Sequence, residues 1–291
     1  MEINIAQTQK ITKKEKNIGK IVGNICLNII AWLASISVLF PLVWMAYSAV
    51  KDNGEFMKDS LALPTKLMFD NFSKAFEIGK LWLAMGNSAL YSAINIVIVG
   101  VMGVITAYFF SRYSFKGKKV IRMTYMMGML IPLYALLVPL FVQYRLLDLI
   151  NNRFSLIITY YAMSISLAIF LAESFIEGIP TDIDEASIID GCGMTQRIVY
   201  IIFPLCKPIV ATISIMTLLS TWNEFVFAVV LTPDINLRTV SIALRYFTSG
   251  RELDYTFLMA ALLCTSLPII IAYLMFSKEV IKGMTVGAVK G

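Results

Sequence analysis

Six long runs of this 291-residue sequence are almost free of charge, and they constrain its fold more than any other feature. They cover residues 21–50, 81–111, 123–144, 154–172, 208–233 and 255–277, and Glu224 is the one charged residue in them. A helix needs about 20 apolar residues to cross a hydrocarbon core. Lipid leaves backbone groups no outside partner, so spans of this length must be helices. The sequence therefore predicts an all-α polytopic membrane protein with six transmembrane helices.

The composition agrees with a membrane chain, because 15% of the residues are charged and 58% are apolar. A soluble domain carries about 25% charged residues. We expect spans at about 21–50, 84–111, 121–144, 154–175, 207–232 and 255–277, a polar loop at 177–206, and polar tails at 1–20 and 278–291. Pro132 and Pro139 are expected to break or kink the third span. Gly100 and Gly103 are expected to let the second span approach a neighbour closely.

The basic residues indicate the orientation of the chain. Five lysines lie between residues 10 and 20, and a second dense basic cluster runs from Arg112 to Arg122. Positive residues favour the cytoplasmic side of a membrane, and an even number of spans puts both termini on one side. We therefore expect both termini in the cytoplasm. The net charge of +6 is then explained by topology, and nucleic-acid binding is not expected.

Several classes of chemistry are excluded by missing residues. The chain has no histidine, so histidine-based catalytic triads and histidine–zinc sites cannot form. Its four cysteines form no paired motif. No Gly-x-x-x-x-Gly-Lys-Ser/Thr phosphate loop is present. We expect no catalytic residue, no metal site and no cofactor bound by this chain. A stand-alone channel or secondary transporter is the main alternative, but a single acid in six spans gives it little to couple ions with.

The polar loop between the fourth and fifth spans contains five carboxylates and the signals of a short helix. Pro180 cannot continue the preceding span, and Thr181 is a candidate N-cap with Asp184 three residues later. Acids in the first turn suit the positive end of a helix dipole. Gly191 can end the helix in a left-handed conformation. From these features alone, a plain linker and a rigid element that docks on another protein remain equally open.

The same loop resembles the Glu-Ala-Ala loop of carbohydrate ATP-binding-cassette importer permeases, of the type of the smaller maltose permease. The resemblance rests on Glu185-Ala186-Ser187, Asp190-Gly191, Phe203-Pro204 and Pro208, and on stretches beginning at Asn87, Ala107, Trp222 and Gly283. It departs from the family pattern at Ser187, where alanine is usual, and at Cys192. The resemblance extends from about residue 20 to the C-terminus.

This resemblance implies a role for the chain as a bacterial cell-membrane permease subunit. Its partners would be a second homologous permease in a heterodimer, two ATPase subunits that hold ATP and Mg, and an extracellular or periplasmic sugar-binding protein. The short helix would couple the permease to an ATPase, and Thr285 to Gly291 would reach between the two ATPases. The coupling residues implied are Asp184, Glu185, Ala186, Ser187, Asp190 and Gly191.

The sugar path is less defined by the sequence. An acid within a span is costly in lipid and suggests a function, so Glu224 beside Trp222 and Asn223 is the first candidate. An aromatic ring could stack on a sugar while the amide and carboxylate bond its hydroxyl groups. The competing hypothesis is that Glu224 fixes helix packing. Further candidates for the path are Gln143, Tyr144 and Asn87.

Overall fold

The computed structural model describes residues 2–248 and 254–288, with side chains described for 23–248 and 254–279. All regular structure within these ranges is helical. The helices are α1 (Glu2–Ser48), α2 (Asn53–Lys58), α3 (Asp70–Ile78), α4 (Leu81–Arg112), α5 (Lys118–Gly128), α6 (Leu137–Leu146), α7 (Arg153–Ile176), α8 (Asp182–Ile189), α9 (Met194–Arg197), α10 (Phe203–Leu205), α11 (Lys207–Asn223), α12 (Val226–Leu231), α13 (Val240–Arg245) and α14 (Tyr255–Ala288). A π-helical turn, Ile198–Ile202, joins α9 to α10.

Four helices of the described chain are individually long and apolar enough to cross a membrane, namely segments of α1, α4, α7 and α14. Two bent pairs, 118–128 with 133–146 and 194–205 with 207–223, are each long and apolar enough when counted as one span, which gives up to six spans. This agrees with the predicted all-α polytopic fold. The helix α14 continues beyond the predicted span end at residue 277. The predicted contact of Thr285 to Gly291 lies outside the residues with described side chains.

The predicted span at 121–144 is divided into two helices, and the expected break lies beside Pro132, whereas Pro139 lies within α6. The axes of the segments 118–128 and 133–146 meet at 96°, and Pro132 between them has an extended backbone. Proline removes a backbone donor and disfavours helical geometry in the residue before it, which explains a break at this place. The predicted span at 207–232 also divides, because α11 ends at Asn223 and α12 begins at Val226.

The core is built by α4, α7, α11 and α14. Close approach of α4 and α7 depends on Gly103, since a Cβ there would lie 3.1 Å from the Cβ of Ala168. Gly100 is less constrained, because its nearest neighbour would be Val210 at 4.0 Å. The expectation that small residues allow tight packing is thus met at Gly103.

Helix α1 lies apart from this core. Residues 23–43 are exposed on every face, and the helix joins the bundle only from Trp44 onward. Large apolar side chains such as Trp32 and Leu33 are 71% and 63% exposed. The apolar surface of residues 23–43 is therefore left uncovered by the described part of the chain.

Candidate functional site

The short helix α8 lies beside the last turn of α4, and we call this end of the bundle the α8 end. Acids occupy its first turn, where the helix dipole favours negative charge. It ends at Ile189, and Gly191, two residues later, has a φ of +79°. This left-handed conformation is the one that glycine adopts without strain, so the predicted stop signal is present.

The predicted cap at the start of α8 is wrong. Thr181 is the residue that precedes the helix, but its side chain makes no capping hydrogen bond. The carboxylate of Asp184 instead turns toward α4. Its Oδ1 accepts from the hydroxyl of Tyr108 at 2.7 Å, and its Oδ2 accepts from Nε of Arg112 at 2.8 Å. A buried carboxylate needs such partners, and they outcompete the local cap.

Asp184 and Ser187 form the inner side of α8, and both are buried. They lie three residues apart, which places them on one face of a helix. The Ser187 hydroxyl donates to the backbone oxygen of Asp184 at 2.6 Å. Two of the six predicted coupling residues therefore contact the chain's own bundle.

The outer side of α8 carries Glu185 and Ala186, which are exposed. Ile188 and Ile189 are 55% and 85% exposed, so two branched apolar side chains extend this surface. We call Glu185, Ala186, Ile188 and Ile189 the outer face of α8. Asp190 and Gly191 follow it and are also exposed. Apolar residues projecting from a polar loop are typical of a contact surface for another molecule.

The polar residues that hold α8 against the bundle, which we call the seat of α8, include Arg112 and Arg197, and neither was predicted as a site residue. Arg112 also donates from Nη2 to the backbone oxygen of Ile179 at 2.6 Å. Arg197 of α9 donates from Nη1 to the hydroxyls of Tyr108 and Tyr113 at 3.4 and 3.3 Å. The sequence does carry a signal for this contact, because Tyr108 and Arg112 are four residues apart and so place two polar groups on one face at the end of an apolar helix.

A second ion pair lies at the same end of the bundle. Nε of Arg122 on α5 lies 3.1 Å from Oε2 of Glu173 on α7, and the Glu173 carboxylate is buried. The two arginine–carboxylate pairs connect α4 to α8 and α5 to α7. They are the ion pairs found among the described side chains.

Four of the six predicted path residues are buried and have polar partners within the chain. Oε1 and Oε2 of Glu224 accept from the backbone N–H groups of Phe227 and Ala228 at 2.9 and 3.0 Å, and Oε2 also accepts from the Tyr160 hydroxyl. Nε1 of Trp222 donates to the backbone oxygen of Thr265. Of the other two buried residues, Tyr144 shares a hydrogen bond between its hydroxyl and Thr159 Oγ1, and Asn87 donates from Nδ2 to the loop after α12.

Gln143 and Asn223 are exposed. Asn223 lies at the end of α11, three residues after Ser220, and therefore on the same face of that helix. Ser220 is part of the wall of a groove of about 410 Å³ between α7 and α11. The groove is mostly apolar, with the hydroxyl-bearing residues Ser164, Thr217 and Ser220 among its lining.

At the opposite end, which we call the far end, α4 holds the loop that follows α12. Nδ2 of Asn87 donates to the backbone oxygens of Asn236 and Arg238 at 2.8 and 3.1 Å. The pKa of Asp234 in this loop is lowered, chiefly because the Asn236 backbone N–H donates to its carboxylate. The far-end loop is therefore shaped by internal hydrogen bonds.

Comparison with known proteins places these features in a family. Residues 99–284 match the family described as "Binding-protein-dependent transport system inner membrane component". The chain is 33% identical to the "Probable ABC transporter permease protein YurM" of Bacillus subtilis, over 97% of this chain and 94% of that protein. It is 29% identical to the "Diacetylchitobiose uptake system permease protein NgcG" of Streptomyces coelicolor, over 89% and 86% of the two chains.

A solved structure shares the fold. It is titled "Crystal structure of a bacterial ABC transporter involved in the import of the acidic polysaccharide alginate". The match has a TM-score of 0.78 at 21% identity, and covers 88% of this chain and 96% of that chain.

Proposed function

This chain belongs to the family of binding-protein-dependent transport system inner membrane components, and we propose that it is a permease subunit of an ATP-driven oligosaccharide importer. Relatives named for diacetylchitobiose and starch degradation products support the substrate class. The chain forms part of the path for the sugar and changes conformation during transport, while ATP and Mg are held by partner ATPases. Its role is transport and not enzymatic catalysis.

The observation that carries the coupling role is the division of α8 into two sides. Asp184 and Ser187 are buried against the bundle, whereas the outer face of α8 is exposed. A helix that packs on its own bundle with one side and is exposed on the other can bind a partner protein without changing its position in the bundle. We propose that the outer face of α8 docks in a cleft of an ATPase subunit, with Glu185 meeting basic or polar groups there.

The charge distribution supports a cytoplasmic position for the α8 end. Arg112, Arg122 and Arg197 lie there, together with Lys116 of the loop between α4 and α5 and the two lysines that begin α5. Positive residues favour the cytoplasmic side. Both termini are then cytoplasmic in a bacterial cell membrane, and the far end faces the extracellular or periplasmic sugar-binding protein.

A second permease is the partner that we propose for α1. The position of a membrane helix is set by packing on its neighbours, and the side chains of residues 23–43 of α1 are all exposed in the described chain. A homologous permease in a heterodimer would supply the missing contacts. The groove between α7 and α11 would then face the shared path, with Asn223 as the path residue best placed for a sugar.

The proposal is tested by purifying the tagged chain from its native host. We expect it to retain two ATPase subunits and a second permease, and the reconstituted complex to hydrolyse ATP when the sugar and its binding protein are added. Glu185→Arg and Gly191→Val should leave membrane insertion intact and uncouple hydrolysis from uptake. Valine at position 191 would be strained at a φ of +79°. Ion-driven sugar uptake by the chain alone would disprove the proposal.

A further inference from the structure

The polar cluster beneath α8 connects this helix to α4 at several points. Asp184 accepts one hydrogen bond at each carboxylate oxygen, from Tyr108 and Arg112 of α4. Arg112 and Asp184 are 11% and 10% exposed at their side chains. An ion pair shielded in this way is screened by salt far less than a surface pair.

The cluster also holds the chain on both sides of α8. Before the helix, the backbone oxygen of Ile179 accepts from Arg112. After the helix, Arg197 donates to the hydroxyls of Tyr108 and Tyr113. The entry, the helix and the exit are thus all bonded to the last turn of α4 and the residue that follows it.

The covalent connections of α8 to its neighbouring helices are not helical. Helix α7 ends at Ile176, and Gly178 and Pro180 separate it from α8. On the other side, Gly191 and Gly193 separate α8 from α9. Neither connection continues the helical hydrogen-bond ladder, so the backbone alone does not fix the direction of α8 relative to α7 or α11.

We propose that Asp184 is a positioning residue which, with Arg112 and Tyr108, makes α8 and α4 move as one rigid body. This inference rests on the proposed coupling function. A displacement of an ATPase subunit would then enter the membrane through α4, and reach α7 and α11 by packing on α4. In this role Asp184 does not contact the ATPase, and it differs from Glu185 although the two are adjacent.

A purely stabilising ion pair would behave differently. Buried ion pairs often contribute little net stability compared with apolar residues of the same volume. If stability were the only role of Asp184, its variants would yield less folded protein, but each assembled complex would couple normally. The test therefore measures coupling per assembled complex.

The first experiment compares Asp184→Asn with Glu177→Gln, which removes an exposed carboxylate from the same loop. Both are made in the complete transporter in proteoliposomes, and ATP hydrolysed per sugar imported is measured. Coupling free energies between sites usually correspond to about 5–150-fold effects, so we expect at least about a fivefold rise for Asp184→Asn and none for Glu177→Gln. Arg112→Lys, which keeps the charge but not the forked geometry, should act in the same direction. An unchanged ratio in both Asp184→Asn and Arg112→Lys overturns the proposal.

The second experiment measures motion directly. Spin labels are placed on α8 at Asp182→Cys, an exposed position outside the outer face of α8, and on α4 at Ser111→Cys, with the native cysteines replaced. In the wild-type complex we expect the distance distribution to stay the same when ATP is added, and in Asp184→Asn to broaden even without nucleotide. A wild-type distance that shifts with ATP shows that α8 moves independently of α4 and overturns the proposal.

The two proposals fail in different ways. If no ATPase purifies with the chain, or if Glu185→Arg couples normally, the coupling function is wrong. The nucleotide-free label distances would still test the rigid unit in the permeases alone. If the ATPase binds and Glu185→Arg uncouples, but the Asp184 variants couple normally, only the rigid-body inference is wrong.

Discussion

The hydroxyl of Tyr160 on α7 donates a hydrogen bond of 3.1 Å to Oε2 of Glu224, which lies between α11 and α12. The same carboxylate accepts two backbone N–H groups from the first turn of α12. Glu224 therefore begins the second half of a divided span and joins it to α7. All three bonds lie within one chain, which favours the packing role over direct contact with sugar.

Replacing Glu224 should lower stability more than sugar affinity. Glu224→Ala leaves two backbone donors and one hydroxyl without their partner, and each lost buried bond costs on the order of 1 kcal/mol. We expect a loss of about 2–4 kcal/mol, seen as a lower thermal unfolding midpoint of the purified complex. Asn223→Ala should instead raise the KM for uptake at an unchanged midpoint. The reverse pattern would identify Glu224 as a sugar ligand.

Asn87 should control the order of the far-end loop. Asn87→Ala removes both hydrogen bonds to the backbone oxygens of Asn236 and Arg238. We expect faster trypsin cleavage after Arg238, by about tenfold if roughly 1.4 kcal/mol of local stability is lost. Asn28→Ala, at an exposed position of α1, is the matched control and should not change cleavage. Equal cleavage rates in both variants would contradict the role of Asn87.

The two glycines of α4 should tolerate alanine to different degrees. At Gly103 a Cβ would lie 3.1 Å from that of Ala168, so we expect Gly103→Ala to destabilise the complex by about 1–3 kcal/mol through overpacking. At Gly100 the nearest atom would be 4.0 Å away, and alanine is a better helix former. Gly100→Ala should be neutral or slightly stabilising in thermal unfolding. A larger loss at Gly100 would disprove this packing account.

Ile189 should be an anchor for the ATPase. An apolar anchor at an interface contributes about 2 kcal/mol or more, so Ile189→Glu should weaken ATPase binding about 30-fold. Titration of the purified ATPase onto the permeases measures this affinity. The matched control is Ile235→Glu, an exposed isoleucine in the far-end loop, which should bind the ATPase normally. Equal affinities would remove Ile189 from the docking surface.

Trp32 should contribute to binding of the second permease. Its side chain is 71% exposed on α1, and we expect Trp32→Ala to reduce the amount of second permease that purifies with the tagged chain. Loss of an aromatic anchor costs about 2 kcal/mol. Trp82→Ala is the control, since Trp82 is 75% exposed but its ring already contacts Phe76. Undiminished recovery with Trp32→Ala would contradict the proposed contact.

The long spans could be predicted from sequence because lipid imposes a local rule on each of them. A run such as 154–175 must form a helix in a hydrocarbon core, because its backbone groups can find hydrogen-bond partners only within the segment, and α7 occupies Arg153–Ile176. Gly191 could be predicted for a similar reason, since its role depends on its own backbone. These features need no knowledge of distant residues.

The remaining features depend on partners that are distant in sequence. Pro132 marks the position of a break, but the angle of 96° results from how the two halves pack on the rest of the bundle. The direction of Asp184 was missed because Tyr108 and Arg112 precede it by more than 70 residues. Glu224 remained ambiguous because Tyr160 belongs to another span.

The two sides of α8 have a consequence for how such subunits diversify. Asp184 and Ile189 lie five residues apart, yet the first is 7% exposed and the second 85%. Substitutions at Ile188 or Ile189 therefore leave the seat of the helix intact. If an ATPase docks on the outer face of α8 as proposed, a few changes at these positions are enough for a permease to bind a different ATPase while its membrane core is unchanged, and grafting the same side chains between permeases should exchange their ATPases.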